Sequence, residues 1–243
     1  MMSAILRFVR LAFEGKTEPT TKTDARTALE TKTLVGAVQV FFRFSTPQLL
    51  TVKVLVFFGV NLYLGDFSIW DWVIATSILV YWPLQEWFLH AYLLHFKPIQ
   101  ILGFTFDPFA GRLHRYHHRY PWILETIFLP TRVIAALIPI HILLWIIAMP
   151  SASLAASGIF LFTLATLVYE WTHYLTHTQY KPKTSYVRRI FRNHRLHHFK
   201  NEKYWYSFTV PYVDVIFRTS PRVDQVESSS TCRTLGVDGE TLS

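Results

Sequence analysis

Ten of the eleven histidines in this 243-residue chain fall into four tight groups. They are His90/His95, His114/His117/His118, His173/His177 and His194/His197/His198, and each group adjoins a long apolar stretch. Neutral imidazole is the commonest side-chain metal ligand, and i, i+3, i+4 spacing sets several ring nitrogens on one helical face, where they can converge on an ion. A lone histidine would read as a surface or satisfied core residue. Two copies of HxxHH plus two spaced pairs read instead as a multinuclear metal site built at a membrane surface.

On a helix, His173 and His177 are one turn apart, and His114/His117/His118 and His194/His197/His198 each present three imidazoles on one face. His90 and His95 differ, because five residues turn a helix by roughly 140° beyond a full circle. That pair either serves two different ions or sits where the helix unwinds. Ten imidazoles exceed what one ion can take, and two metals with four to six ligands each account for the number. A dinuclear centre suits a two-electron reaction with O2, which makes the metal centre itself the catalytic group. Nitrogen ligation suits iron, copper, nickel and zinc alike, but O2 chemistry needs a redox-active ion. Two iron ions are therefore expected, with O2 as co-substrate and zinc able to take the site in purified protein. The one cysteine, Cys232, excludes an intramolecular disulfide framework and a cysteine-ligated zinc or iron–sulfur centre.

Glu86 lies one turn before His90, and Glu170 three residues before His173, both within otherwise apolar helices. A carboxylate there is costly to bury unless it has a partner, and a metal-bound histidine donating its second N–H is the usual one. Tyr169 shares that region and is a candidate for the same supporting layer, although an aromatic belt with Trp87, Trp171 and Tyr174 explains it as well. His141 stands alone in mid-span as a packing or interhelical hydrogen-bonding residue.

The elements that must carry these groups are membrane helices. The chain is 51% apolar and 16% aromatic, with 16% charged residues, which is greasy for a soluble protein. Residues 46–64, 70–90, 131–149 and 151–171 each approach the ~20 residues a helix needs to cross hydrocarbon. The first carries Lys53 and Asn61 and is the weakest of the four. Seven Lys and Arg precede it, five lie in the 97–132 loop and eleven follow the fourth span, while the two opposite turns carry none. The positive-inside rule then puts both termini and the middle loop in the cytoplasm. At a ~1.5 Å rise per residue, His90 and His173 emerge on that same side. The expected fold is all-α, a four-helix transmembrane bundle with a cytosolic helical cap holding the dinuclear site. The net charge of +8 belongs to this topology and not to nucleic acid, since the basic residues flank apolar spans.

Residues 1–45 read as a cytosolic segment with an interfacial amphipathic helix near 5–13, residues 46–220 as the membrane domain, and 221–243 as a disordered tail. No cleavable secretory signal is visible.

From about Glu86 to Thr219 the chain resembles the fatty acid hydroxylase/sterol desaturase superfamily, and within it the fatty acid (ceramide) 2-hydroxylases. The matching segments are EWFLHAYLLH ending at His95, HRYHHRYP from His114, YEWTHYLTH ending at His177 and HRLHHF from His194. The 18 residues between His95 and His114 also look more like that branch than like the sterol-type members. The resemblance implies a four-helix anchor, a cytosolic dinuclear cap, O2 and electrons as co-substrates, and a lipid acyl chain entering from the bilayer. With no fused cytochrome b5-like domain before the first span, it implies a separate electron donor such as cytochrome b5 with its reductase, or a ferredoxin. It places the protein in the endoplasmic reticulum of a eukaryote or the inner membrane of a bacterium. The sequence departs from the branch at Ala91, where arginine is common, at Lys203-Tyr204-Trp205-Tyr206, which replaces a glycine-containing stretch, and at Val213-Asp214, where Trp-Asp is usual.

Desaturation starts from the same hydrogen abstraction, and sterol or carotenoid substrates fit the same motifs. A metal transporter is the competing class. Transporters place ligands near the bilayer midplane on broken helices, whereas these histidines lie beyond the span ends.

Overall fold

The computed structural model describes residues 31–237, and these divide into two compact units. The first combines residues 41–82 and 129–171, and the second combines 31–40, 83–128 and 172–237. In chain order the helices are α1 (Leu34–Phe41), α2 (Ser45–Leu64), α3 (Ile69–Phe88), a π-helical turn (Leu89–Leu94), α4 (Phe109–Arg119), α5 (Thr131–Ala148), α6 (Ala152–Thr176), α7 (Ser185–Phe199) and α8 (Tyr212–Ile216). Short 3-10 turns occupy Leu124–Thr126 and Val223–Gln225, and a two-stranded antiparallel hairpin pairs β1 (Ile99–Ile101) with β2 (Phe104–Phe106).

Ser45–Leu64, Leu124–Ala148 and Ala152–Thr176 are long and apolar enough to cross a membrane. Helix α3 has the same 20-residue length as α2 but is interrupted by Asp71, Gln85 and Glu86, and Pro83 removes one of its internal hydrogen bonds. The polar residues that weaken α2 as a span are all met by sister helices. Lys53 Nζ lies 2.8 Å from His141 Nδ1 on α5, and Asn61 Nδ2 donates to Ser157 Oγ on α6 at 2.7 Å. That contact with Lys53 makes His141 the interhelical hydrogen-bonding residue its isolation suggested, and within α5 Trp145 Nε1 donates to His141 Nε2 at 3.1 Å. Helix α6 meets α5 closely at Gly158, where an added Cβ would overlap the Trp145 indole. Small residues at such crossings let helix backbones pack without a side chain between them.

Three features depart from the sequence reading. Helix α1 occupies part of the N-terminal segment, where the sequence suggests only the interfacial helix near 5–13, and that stretch lies outside the described residues. The hairpin is an exception to an all-α fold. Its turn is closed by Leu102 and Gly103, both at positive φ (50° and 83°), which matches the twist of a tight two-residue hairpin. The tail does not begin at residue 221. Val226, Cys232 and Leu235 are buried, because the polar residues between them spend their hydrogen bonds on the rest of the second unit. Composition alone misses this, since Ser and Thr run with no apolar periodicity there.

Candidate metal centre

All ten clustered histidines belong to the second unit, which is built on the π turn, α4, the end of α6, and α7. Thr184 caps α7 by accepting a hydrogen bond from Val187 N at 3.3 Å. The two HxxHH motifs both run into the last turns of their helices, α4 and α7. Helix C-termini favour positive charge, which suits a bound cation.

Nine of the ten imidazoles form two ligand groups. His90, His95, His114, His118 and His197 make one, and His117, His177, His194 and His198 make the other, with candidate ligand atoms in each group all within 4.8 Å of one another. The tenth, His173, sets its Nε2 3.3 Å from His177 Nε2 and its ring 5.0 Å from those of His117 and His194. Within the groups, Nε2–Nε2 separations are 3.0 Å for His90/His114, 3.1 Å for His114/His118 and His95/His197, and 2.8 Å for His177/His194. Nitrogens bonded to one ion at ~2.0–2.1 Å crowd together in this way.

Several of these nitrogens have no other use. Both ring nitrogens of His117 and of His198, and Nδ1 of His194, are buried without a hydrogen-bond partner. Buried polar atoms are normally satisfied, so such orphans ask for an unseen partner, and a metal is the one that imidazoles in this number fit. Their protonation agrees. Burial first, then repulsion from neighbouring imidazoles, pushes His95, His114, His117, His118, His177, His194 and His198 well below the ordinary histidine range. Burial also lowers His197, to about 4, against the opposing pull of the Tyr204 carbonyl and the Glu202 carboxylate. All are therefore neutral at pH 7, as ligation requires.

The grouping corrects the helix-face picture. Each HxxHH motif splits, with the i, i+4 pairs His114/His118 and His194/His198 kept together while His117 and His197 turn to the opposite group. Adjacent positions on a helix lie ~100° apart, so one motif can serve two sites. His90 and His95 share a group because the helix widens: His95 N donates to His90 O at 3.2 Å, the i to i+5 bond of a π turn.

The carboxylates also act differently from expectation. Glu86 accepts from Phe208 N at 2.5 Å and from Thr209 N at 3.0 Å, so it anchors the loop after α7 instead of an imidazole. Glu170 takes Leu129 N at 3.2 Å. Tyr169 packs edge-on to Trp82 with centroids 6.4 Å apart, and the supposed belt residues Trp87 and Tyr174 are buried in packing, against Phe217 and Phe128.

What orients the imidazoles is backbone. His90 Nδ1 lies 2.6 Å from Tyr206 O, His197 Nδ1 2.7 Å from Tyr204 O, and His118 Nδ1 2.8 Å from Cys232 O. A carbonyl can only accept, so each bond fixes the proton on Nδ1 and leaves Nε2 free to ligate. The 204–206 loop owes its shape to Asp214, which accepts from Tyr206 N and Ser207 N at 3.0 Å each, and to Trp205, buried at φ 57°. Phe208, fully buried, stacks on His173 at 4.8 Å and also meets His90 and His194. Backbone carbonyls and a lone phenylalanine leave no spacing signal. The only hint was Lys203–Tyr206 standing where a glycine is usual.

A fatty acid hydroxylase family model matches residues 75–219, which takes in every one of these histidines. Among curated proteins, the chain is 30% identical over 159 residues to a dihydroceramide fatty acyl 2-hydroxylase of Arabidopsis thaliana, covering 65% of this chain and 64% of that protein. It is 25% identical over 193 residues to human fatty acid 2-hydroxylase, covering 76% of this chain and 45% of the relative. It thus spans roughly half to two thirds of those proteins' length. Among solved structures, the hydroxylase domain visible in full-length scs7p superposes with a TM-score of 0.59 at 22% identity, over 75% of this chain and 68% of that one, a likeness of fold. With its histidine groups inside the matched segment, the chain belongs to the fatty acid hydroxylase family.

Proposed function

We propose that this protein is a membrane-bound di-iron monooxygenase that hydroxylates the acyl chain of a fatty acid or ceramide, at the 2-position. The single observation that carries the reading is the pair of buried, neutral histidine groups in a chain of this family. His90, His95, His114, His118 and His197 would hold one iron. His117, His177, His194 and His198, with His173 beside them, would hold the other. Iron in that setting supplies the power to activate O2 and to remove hydrogen from an unactivated C–H bond. The balance is one C–H bond and one O2 converted to a C–OH and water, with two electrons and two protons entering. The electrons come from a redox protein such as cytochrome b5 with its reductase, or a ferredoxin.

The chain's own residues prepare the site in three ways. Burial keeps the imidazoles neutral, so that no proton has to leave before an ion binds. The carbonyls of Tyr204, Tyr206 and Cys232 hold three of them in the ligating tautomer. Phe208 closes an apolar wall that keeps water from the histidines it touches.

The topology belongs to the same proposal: four crossings, with α3 the fourth beside the three strongly apolar helices, and both termini and the metal centre on the cytoplasmic side. The partnering of Lys53 and Asn61 supports α2 as a true span. In a eukaryote this is a protein of the endoplasmic reticulum, in a bacterium of the inner membrane. The specificity for an acyl chain rests on the 2-hydroxylase relatives. Lipid mass spectrometry after expression in a host lacking its own lipid hydroxylases tests it, with His117→Ala as control. The expected product is a 2-hydroxylated acyl chain absent from the control. Lipid profiles identical to the control would overturn the enzyme reading, and an unsaturated product would replace hydroxylation by desaturation.

A further inference from the structure

We infer that the C-terminal strap, residues 226–237, is a working part of one metal site and not of the other: it positions His118. The inference rests on the two-metal reading above. The family match ends at residue 219, so the strap lies outside the matched segment.

In the five-histidine group three imidazoles, His90, His118 and His197, have their Nδ1 held by a backbone carbonyl, while in the other group the backbone of Pro121 supports His177. Two of those carbonyls, Tyr204 and Tyr206, come from the loop inside the matched segment. The third is Cys232, on the strap. Its oxygen receives the His118 Nδ1–H, and this turns His118 Nε2 to within 3.1 Å of His114 Nε2. Without that acceptor the ring could flip or take the other tautomer, and one ligand of that group would be lost.

The strap is fastened on both sides of Cys232. Ser229 N donates to Lys200 O at 2.7 Å, Thr231 Oγ1 donates to Glu202 Oε1 at 2.6 Å, and Arg233 Nη2 donates to Arg119 O at 2.7 Å while its guanidinium lies 5.4 Å over the Trp122 ring. These anchors grip the residues that follow the two HxxHH motifs, Lys200–Glu202 after α7 and Arg119 at the end of α4. Val226, Cys232 and Leu235 are buried beneath them. A tail that merely lay on the surface would not hand its carbonyl to a buried imidazole.

The test uses the full chain in detergent, loaded with Zn(II) as a redox-silent probe, and reads bound metal by mass spectrometry and release to a chelator. In Thr231→Val/Arg233→Ala, which unfastens the strap without touching a histidine, one of two ions should leave 10- to 100-fold faster while the other leaves at the wild-type rate. A chain stopped after Gln225 should show the same biphasic loss, whereas the conservative control Thr231→Ser, which keeps the hydroxyl, should release both ions as the wild type does. Two ions released at wild-type rates from the double variant and the shortened chain would overturn the positioning role. So would equal acceleration of both ions, which is what a purely structural prop produces. A wild-type chain that binds fewer than two ions overturns the two-metal reading itself, which separates the two failures.

Discussion

His90 and His95 stand five residues apart yet join one ligand group, because His95 N closes on His90 O at 3.2 Å and widens the helix into a π turn. An α-helix would have pointed them apart. Single substitutions His90→Ala and His95→Ala should therefore each remove the same ion, and the double variant should lose no more than one. His90→Ala/His177→Ala, drawn from both groups, should lose two. Metal stoichiometry on purified protein reads this directly. A His90/His95 double variant emptied of both ions would refute the grouping.

Trp205 is a large buried side chain at φ 57°, a conformation that costs an L-residue about 1–2 kcal/mol. Losing the indole costs about 3–5 kcal/mol in either small replacement. Glycine alone also removes the backbone cost. Trp205→Gly should thus be destabilised but remain more stable than Trp205→Ala by about 1 kcal/mol, the reverse of the usual order in ordered structure. Thermal unfolding of both variants checks it.

At Gly158 the limit is space and not conformation. A methyl group there meets the Trp145 ring face, so Gly158→Ala should cost about 1–3 kcal/mol through overpacking. Trp145→Leu in the same chain should recover part of that loss. If the double variant were as unstable as the two single losses added together, the contact would not be the cause.

Acid should weaken the histidine cluster of the second unit. Burial holds His197 down to about 4 against an ordinary 6.5, so between those values the unfolded chain binds a proton that the folded chain does not. Stability then rises with pH across that window. It is complete above about 6.5 and is lost as pH falls toward 4. The other buried imidazoles shift in the same direction, and bound metal adds to it by competing with protons. Melting temperatures from pH 8 down to 4.5 should be level at first and then fall. A level profile throughout would contradict the buried, neutral state of the cluster.

The sequence by itself determined the inventory of the site and the elements that carry it. Histidine spacing and hydropathy are local properties, and they suffice to mark ten candidate ligands and the long helices at α2, α3, α5 and α6. Tertiary structure decided the rest. How an HxxHH motif divides between two groups depends on which neighbouring helix each ring meets. A π turn depends on a backbone bond whose benefit appears only when His95 must reach His114 and His197. Glu86 and Glu170 looked like partners for imidazoles because both were carboxylates near histidines, yet their oxygens go to the Phe208, Thr209 and Leu129 amides. The imidazoles instead rely on the carbonyls of Tyr204, Tyr206 and Cys232, and every residue but proline offers the same carbonyl and amide. Only the path of the chain selects which one faces a histidine, and that path is set by packing between residues as distant as His118 and Cys232.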